Sequence, residues 1–247
     1  MSVLAIIPAR MGSSRFPGKP LAKINGRPMI EHVYKNVIKS NMISKTLVAT
    51  CDTEIFNFIK SINGKVVMTS KKHKRASDRC FEALQLLEKN KKIKYDIVVM
   101  VQGDEPMVHP NMINDAVKPM LKDKKINVVN LISDIKKKED FYNSNFIKVV
   151  HDKNYNALYF SRSSIPYLKF KKNSYVKKQV CIIPFRREFL IKYNKMKPTK
   201  LEKIESIDML RILENGYDVT LFKTRYFSHA VDTKKDLLKV QKFIKKN

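Results

Sequence analysis

Short apolar runs alternate with segments of helical spacing through the first half of the chain. Leu4 to Ile7 is an apolar run that stops at Pro8, the pattern of a first strand. After the turn Asn25-Gly26-Arg27-Pro28, apolar residues recur at Ile30, Val33, Tyr34, Val37 and Ile38, one face of a helix, with Pro28 suited to its first turn. Lys45 to Thr50 reads as a second strand, and Asp52-Thr53 offers a cap to a helix through Ile59. A short strand at Lys65 to Met68 follows Asn63-Gly64, and Cys80, Ala83, Leu84 and Leu87 make one face of a helix over Ser77 to Leu87. Asp96 to Val101, Asp-Ile-Val-Val-Met-Val, carries the unbroken apolar run of a central parallel strand buried on both faces. This alternation predicts an α/β fold, a doubly wound and mostly parallel sheet, with a ligand site beyond the carboxyl ends of its strands.

The second half is less regular. Asn111 to Leu121 and Ile204 to Leu213 have helical spacing, the latter closed by Asn215-Gly216, and Glu188 to Tyr193 gives a helical turn or two. Asn127 to Ile132, Phe146 to His151, Ala157 to Ser161, Val180 to Phe185 and Val219 to Lys223 read as strands, and Lys169 to Lys178 as a lysine-rich loop. A terminal helix over Lys234 to Ile244 starts from Val231-Asp232-Thr233. No repeat and no linker between independent domains interrupts the chain, so it reads as one domain.

Composition narrows this picture. The 247 residues are 43% hydrophobic, enough to bury a core. The net charge of +27 raises the question of nucleic acid, but 40 of the 50 cations are lysines and only 10 are arginines. They are scattered in runs such as Lys136 to Lys138, without aromatic interleaving, which describes a solvated surface that attracts anionic substrates better than a nucleic-acid reader. Three cysteines, Cys51, Cys80 and Cys181, lack metal-ligand spacing and read as buried free thiols of a reducing compartment. With no leader pattern at the start and no membrane-length apolar run, the expectation is a cytoplasmic protein without stable membrane association.

The chemistry concentrates after the first strand. Arg10, Arg15 and Lys19 stand among Gly12, Ser13, Ser14, Pro17 and Gly18, where small residues let the backbone approach a ligand and cations neutralise phosphate. Neither the Walker spacing nor the dinucleotide Gly-x-Gly-x-x-Gly is present, so the loop is a phosphate cradle of another kind. After the central strand, Gln102, Asp104 and Glu105 cluster where ligands bind; Asp104 admits a turn or cap as well as a magnesium ion between acid and phosphate. Asp232, in Val-Asp-Thr-x-x-Asp before a helix, reads by itself as a cap. The five histidines show no paired ligand spacing, and no side-chain nucleophile is supported.

Several stretches resemble a known family. Ile7-Pro8-Ala9-Arg10 with Ser14-Arg15-Phe16-Pro17-Gly18-Lys19-Pro20-Leu21 is similar to the opening of the sugar-acid cytidylyltransferases. Val101-Gln102-Gly103-Asp104-Glu105-Pro106, Ala157-Leu158-Tyr159-Phe160-Ser161-Arg162 with Ile165-Pro166, and Val231-Asp232-Thr233 with Asp236-Leu237 resemble the 3-deoxy-D-manno-octulosonate (KDO) cytidylyltransferases in particular. The resemblance implies the nucleotidyltransferase fold: a nucleotide half over about 1–125, a smaller sugar-binding and dimerisation part over about 126–215, and a C-terminal strand and helix, 216–247, returning to the core. It implies transfer of CMP from CTP to the anomeric hydroxyl of KDO or a related 2-keto-3-deoxy acid for surface-polysaccharide synthesis, in a homodimer. Lys19, Arg10, Asp104 and Asp232 would be catalytic, with magnesium on Asp104 and Asp232. Ala9, Arg10, Ser14, Arg15, Lys19, Ser77, Asp78 and Arg79 would face the nucleotide, and Gln102, Arg162, Gln179, Glu205 and Asp208 the sugar acid, with Arg162 toward its carboxylate.

Departures from the family pattern gather on the sugar side. Arg75-Ala76 replaces a Ser-Gly pair, and Gln179-Val180-Cys181-Ile182-Ile183-Pro184-Phe185-Arg186 stands where the family has His-x-Gly-x-Tyr-x-Tyr-Arg. Asp208-Met209 stands for Glu-Gln, the Leu168 to Lys178 loop is short, and Ala230 replaces a glycine. Lost hydrogen-bonding groups change specificity strongly, so an 8-amino-KDO, a sialic-acid-like sugar or a smaller acid is an alternative acceptor. A non-catalytic nucleotide-binding protein is a further alternative, against which both aspartates speak.

Overall fold

The first apolar run forms β1 (Val3–Ala9), whose seven residues are all buried. The computed structural model describes residues 1–13, 15–89, 94–169 and 176–245, and the chain folds as two compact units, Met1–Asn114 with Phe227–Asn247, and Asp115–Tyr226.

In the first unit, β1 is followed by a 3₁₀ turn at Lys19–Leu21, a small hairpin of β2 (Lys23–Ile24) and β3 (Arg27–Pro28), and α1 (Met29–Val37). Helix α1 buries Met29, Ile30, Val33, Tyr34 and Val37, as its spacing predicts, while Ile38 lies one residue beyond and is exposed. Then come β4 (Lys45–Thr50), α2 (Thr53–Ser61), β5 (Val66–Met68), α3 (Ala76–Lys89), β6 (Ile97–Val101) and α4 (Pro110–Lys122), within which the division between units falls. β4 and β6 both pair in parallel with β1, and β5 pairs in parallel with β4, so these strands lie in the order β6-β1-β4-β5. The chain winds outward from β1 on one side and then crosses to the other. The ligand crevice of such a sheet opens where the winding reverses, beyond the carboxyl ends of β1 and β6. Gly103, just after β6, lies so close to β1 that a Cβ there would sit 2.9 Å from the Pro8 carbonyl oxygen, and this contact requires glycine.

The second unit contains β7 (Val129–Asp134), α5 (Lys138–Tyr142), β8 (Lys148–His151), β9 (Ala157–Ser161), β10 (Lys177–Val180), β11 (Ile182–Arg186), α6 (Arg187–Lys195), α7 (Lys200–Glu205), α8 (Met209–Glu214) and β12 (Thr220–Lys223). Its sheet runs β12-β7-β10-β8-β9, mostly antiparallel, with β12 parallel to β7. The outer strands touch at their starts through one isolated bridge, where the Leu221 N–H donates to the Tyr155 carbonyl at 2.7 Å and the Ala157 N–H to the Val219 carbonyl at 2.9 Å. The final helix α9 (Lys234–Lys245) belongs to the first unit.

Local departures from the periodicity have physical causes. The Val180 to Phe185 run is two strands: β10 pairs with β7 and β8, the chain breaks step at Cys181, and Phe185 of β11 bridges Val128. The helix expected over Ile204 to Leu213 is interrupted at Ser206, whose φ of 54° ends α7. Asp52 stands at the cap position of α2, but no side-chain cap forms; its carboxylate accepts the Met11 N–H at 2.8 Å instead. Cys51 and Cys80 are buried free thiols as expected, whereas Cys181 is half-buried. Part of the lysine-rich loop, residues 170–175, lies outside the described residues.

Candidate functional site

The loop after β1 is shaped by its own backbone and by one apolar anchor. Gly18, at a φ of 73°, donates its N–H to Met11 at 2.9 Å and closes the loop, a left-handed turn that favours glycine. Phe16 is buried with Ile24, Met29, Val231 and Val240, so the loop is packed against the segment that carries Asp232. Asp52, at the end of the neighbouring strand β4, holds Met11 from the other side.

These constraints deliver Lys19 to two carboxylates. Its ammonium lies 2.6 Å from Asp104, 3.5 Å from Asp232 and 3.1 Å from the Val231 carbonyl, and Arg15 donates to Asp232 at 2.8 Å. The Val231 N–H in turn donates to the Asp104 carbonyl at 2.9 Å, which ties the segment before α9 to the end of β6. Burial by itself would lower the Lys19 ammonium, but Asp104, and then Asp232, outweigh it and hold the group above its ordinary value. Lys19 is therefore a fixed positive charge at neutral pH. The cap reading of Asp232 gives way to a different arrangement. Thr233 and Asp236 form the capping box of α9, with the Thr233 N–H on the Asp236 carboxylate at 2.9 Å and the Asp236 N–H on the Thr233 hydroxyl at 3.2 Å, while the Asp232 carboxylate faces the cradle.

Other residues of the first unit divide by exposure. Arg10 is exposed at the end of β1, next to buried Ala9, and Gln102 is half-buried after β6. Glu105 is buried and accepts the Ser228 hydroxyl at 2.5 Å, so it braces the segment leading to Asp232. In the first turn of α3, Ser77 is buried, Asp78 half-buried, and the buried Arg79 guanidinium donates to the Thr69 hydroxyl. Ser14 lies outside the described residues.

In the second unit, two of the expected acceptor-side residues, Arg162 and Glu205, meet each other, while Gln179 and Asp208 each bond elsewhere. Glu205, at the end of α7, accepts the Ser161 hydroxyl at 2.6 Å, the Arg162 N–H at 2.8 Å and the Tyr159 hydroxyl at 3.4 Å. The Arg162 guanidinium donates to the carbonyls of Glu205 at 2.8 Å, Ser144 at 3.0 Å and Ser206 at 3.4 Å. A guanidinium has five N–H groups, so these bonds fix its plane and leave two donors for another ligand. Gln179, on β10, donates to Asn130 at 2.6 Å, and Asn130 is buried with its amide on the Leu131 and Val180 carbonyls. Asp208 is half-buried just before α8, and its carbonyl accepts the Tyr193 hydroxyl at 3.3 Å. Two charged residues outside the family motifs also stand out: Asp52, and the fully buried Lys148 on β8. Asp52 looks like an ordinary helix cap, and Lys148 is one lysine among 40, so neither is visible without the fold.

The donor set fits a hard divalent cation. Asp104 and Asp232 are two carboxylates drawn to one shared ammonium, and no group of three or more histidine, cysteine or acidic side chains gathers among the described residues. A cation held by two carboxylates alone must complete its shell with water and ligand oxygens, as magnesium does with substrate phosphates.

Comparison with known proteins identifies the chain at two levels. At the level of class, the cytidylyltransferase family model matches residues 4–224. More particularly, the 3-deoxy-manno-octulosonate cytidylyltransferase of Geobacter metallireducens is 41% identical over 97% of this chain and 96% of its own, and that of Fusobacterium nucleatum is 41% identical over 100% and 98%. A CMP:2-keto-3-deoxy-manno-octonic acid synthetase solved in complex with CTP superimposes with a TM-score of 0.90 at 33% identity, over 100% of this chain and 99% of that one. The fold extends to the 4-diphosphocytidyl-2C-methyl-D-erythritol synthase of Anaerococcus prevotii, with a TM-score of 0.65 at 14% identity over 99% and 96% of the two chains. The chain belongs to the 3-deoxy-manno-octulosonate cytidylyltransferase family.

Proposed function

We propose that this chain is a CTP-dependent enzyme that transfers CMP to the anomeric hydroxyl of KDO and releases pyrophosphate. The observation that carries this reading is the convergence of Lys19, Arg15, Asp104 and Asp232 at the crevice beyond β1 and β6, in a chain of this family. In the reaction, the anomeric oxygen forms a bond to the α-phosphorus while the bond from that phosphorus to the α,β-bridging oxygen breaks, and the bond electrons leave with pyrophosphate. Such a transfer requires positioning and charge neutralisation more than covalent help from a side chain.

Lys19 and Arg15, with exposed Arg10, neutralise the triphosphate and then the leaving pyrophosphate. Asp104 and Asp232 would hold magnesium, which when bound supplies further positive charge and favours ionisation of the attacking hydroxyl. The same carboxylates pair with Lys19 and Arg15, which keeps the two cations oriented. Ala9, Ser14, Ser77, Asp78 and Arg79 complete the nucleotide set. Arg79 contributes through its bond to Thr69 by shaping the loop before α3.

On the acceptor side, the two remaining Arg162 donors suit a carboxylate, supported by Gln179, Glu205 and Asp208. A homodimer in the cytoplasm serving surface-polysaccharide synthesis completes the reading; among the described residues no helix is long and apolar enough to cross a membrane.

A different acid acceptor is favoured by one observation. Ile183, Phe185 and Met209, at positions where the family carries polar pocket groups, are buried at 2%, 1% and 0% exposure and offer no side-chain hydrogen bond to a sugar hydroxyl. Pyrophosphate release from CTP, scanned over KDO, 8-amino-KDO and sialic acids and over the other nucleoside triphosphates, tests both readings. Turnover of CTP with KDO above all other acids is the expected result. Preference for another acid replaces the acceptor, and CTP binding without turnover of any acid removes the enzymatic reading.

A further inference from the structure

Lys148 is fully buried, yet no salt bridge joins it to a carboxylate among the described residues. Its ammonium instead donates to three backbone carbonyls, those of Asn143 at 3.0 Å, Phe146 at 2.7 Å and Arg162 at 2.5 Å. Those bonds use all three of its N–H groups. Burial lowers the ammonium to about 8, the charge of Arg162 acts in the same direction, and Glu205 opposes both. A buried charge is a poor way to gain stability where an apolar side chain could fill the same volume, so the location of the three carbonyls matters.

They bracket the mounting of one side chain. Asn143 and Phe146 flank Ser144, whose carbonyl holds the Arg162 guanidinium at 3.0 Å, and the third carbonyl is that of Arg162 itself. From the other side, Glu205 holds the Arg162 N–H at 2.8 Å with its carboxylate and the guanidinium at 2.8 Å with its carbonyl. Lys148 thus joins the 143–146 turn to the end of β9, and Arg162 spans from that junction to the end of α7.

We propose that Lys148 is a positioning residue for acceptor binding, setting the plane of the Arg162 guanidinium by drawing the Asn143, Phe146 and Arg162 carbonyls to one point. This rests on the reading that Arg162 receives the carboxylate of the acid acceptor. An ammonium does this better than a neutral side chain because three acceptors with converging negative ends need three donors from one atom.

The test uses the whole enzyme, with KDO and CTP as probes, and four variants: Arg162→Ala, Lys148→Met, Lys148→Gln and the double variant Arg162→Ala/Lys148→Met. Arg162→Ala should raise the KM for KDO by at least about tenfold. Lys148→Met should raise the same KM by a similar factor while changing the KM for CTP less than about twofold, and Lys148→Gln, with two donors, should fall between wild type and Lys148→Met. The double variant should be no worse than Arg162→Ala alone, since one effect acts through the other. An unchanged KM for KDO in Arg162→Ala removes the acceptor-site reading. A raised KM in Arg162→Ala with additive losses in the double variant, or with equal losses for KDO and CTP in Lys148→Met, overturns the role of Lys148 and leaves that reading in place. Failure of both Lys148 variants to fold at 25 °C assigns the lysine to the fold and also overturns it.

Discussion

Asp104 and Asp232 share one ammonium but are held differently, and this decides what their loss should do. Asp104 sits at the carboxyl end of a buried strand, 2.6 Å from Lys19. Asp232 is fixed by Lys19 and Arg15 while its neighbours Thr233 and Asp236 cap α9. Asp104→Asn and Asp232→Asn should each lower kcat by roughly 10²- to 10³-fold, measured by pyrophosphate release. Because the pair with Arg15 is half-exposed and the cap does not depend on it, Asp232→Asn should change unfolding stability by less than about 1 kcal/mol in a denaturant melt. Full activity with a large loss of stability would return Asp232 to the role of a cap. Among single residues, Arg10, Arg15 and Lys19 stood out because arginine is rare in this chain and three cations in a loop of small residues call for an anion, and folding brings two of them, Arg15 and Lys19, to the aspartates. Glu105 was misleading: it stands beside Asp104 in sequence, but its side chain turns inward to Ser228.

The paired helices α7 and α8 show how one ion pair can define an element. Glu202 and Arg211 are 0% and 2% exposed and meet through two bonds of 2.6 and 2.8 Å, while Glu202 also accepts the Thr199 N–H at 3.1 Å. The pair holds the two helices side by side across the break at Ser206, the position from which Glu205 reaches Ser161. Glu202→Ala should destabilise the fold by about 3–5 kcal/mol, because it strands a buried guanidinium, whereas Glu202→Leu combined with Arg211→Met should recover much of that loss. Urea unfolding midpoints of the single and double variants measure both effects. Helical spacing over Ile204 to Leu213 indicated one helix, since a left-handed serine leaves no mark on apolar periodicity. The single run from Val180 to Phe185 concealed two strands for a similar reason: its residues stay apolar through Cys181, where the pairing changes.

Across the whole molecule, the net charge is +27, and the proposed nucleotide substrate, CTP, is a polyanion. Attraction over that distance is screened by salt, so kcat/KM for CTP should fall several-fold between about 0.05 and 0.5 M sodium chloride, with kcat changing much less. A kcat/KM independent of ionic strength would assign the lysines to solvation alone. The charge pattern is visible in the sequence, but its relation to the site is not, because scattered lysines acquire a direction only once a surface exists.

Periodicity and apolar runs were enough to determine a wound α/β fold, and the small, cationic loop after the first strand was enough to propose phosphate handling there, because these depend on local sterics, burial and charge. Motif order, added to that, carried the family. Only folding decided that Lys19 meets Asp104 and Asp232, that Asp52 braces the loop rather than capping α2, and that Lys148 donates to the Arg162 carbonyl with no acid as its partner among the described residues. Each of these contacts joins residues from different strands or helices, and such meetings are set by the order in which strands pack and by which carbonyls are left to satisfy in the interior.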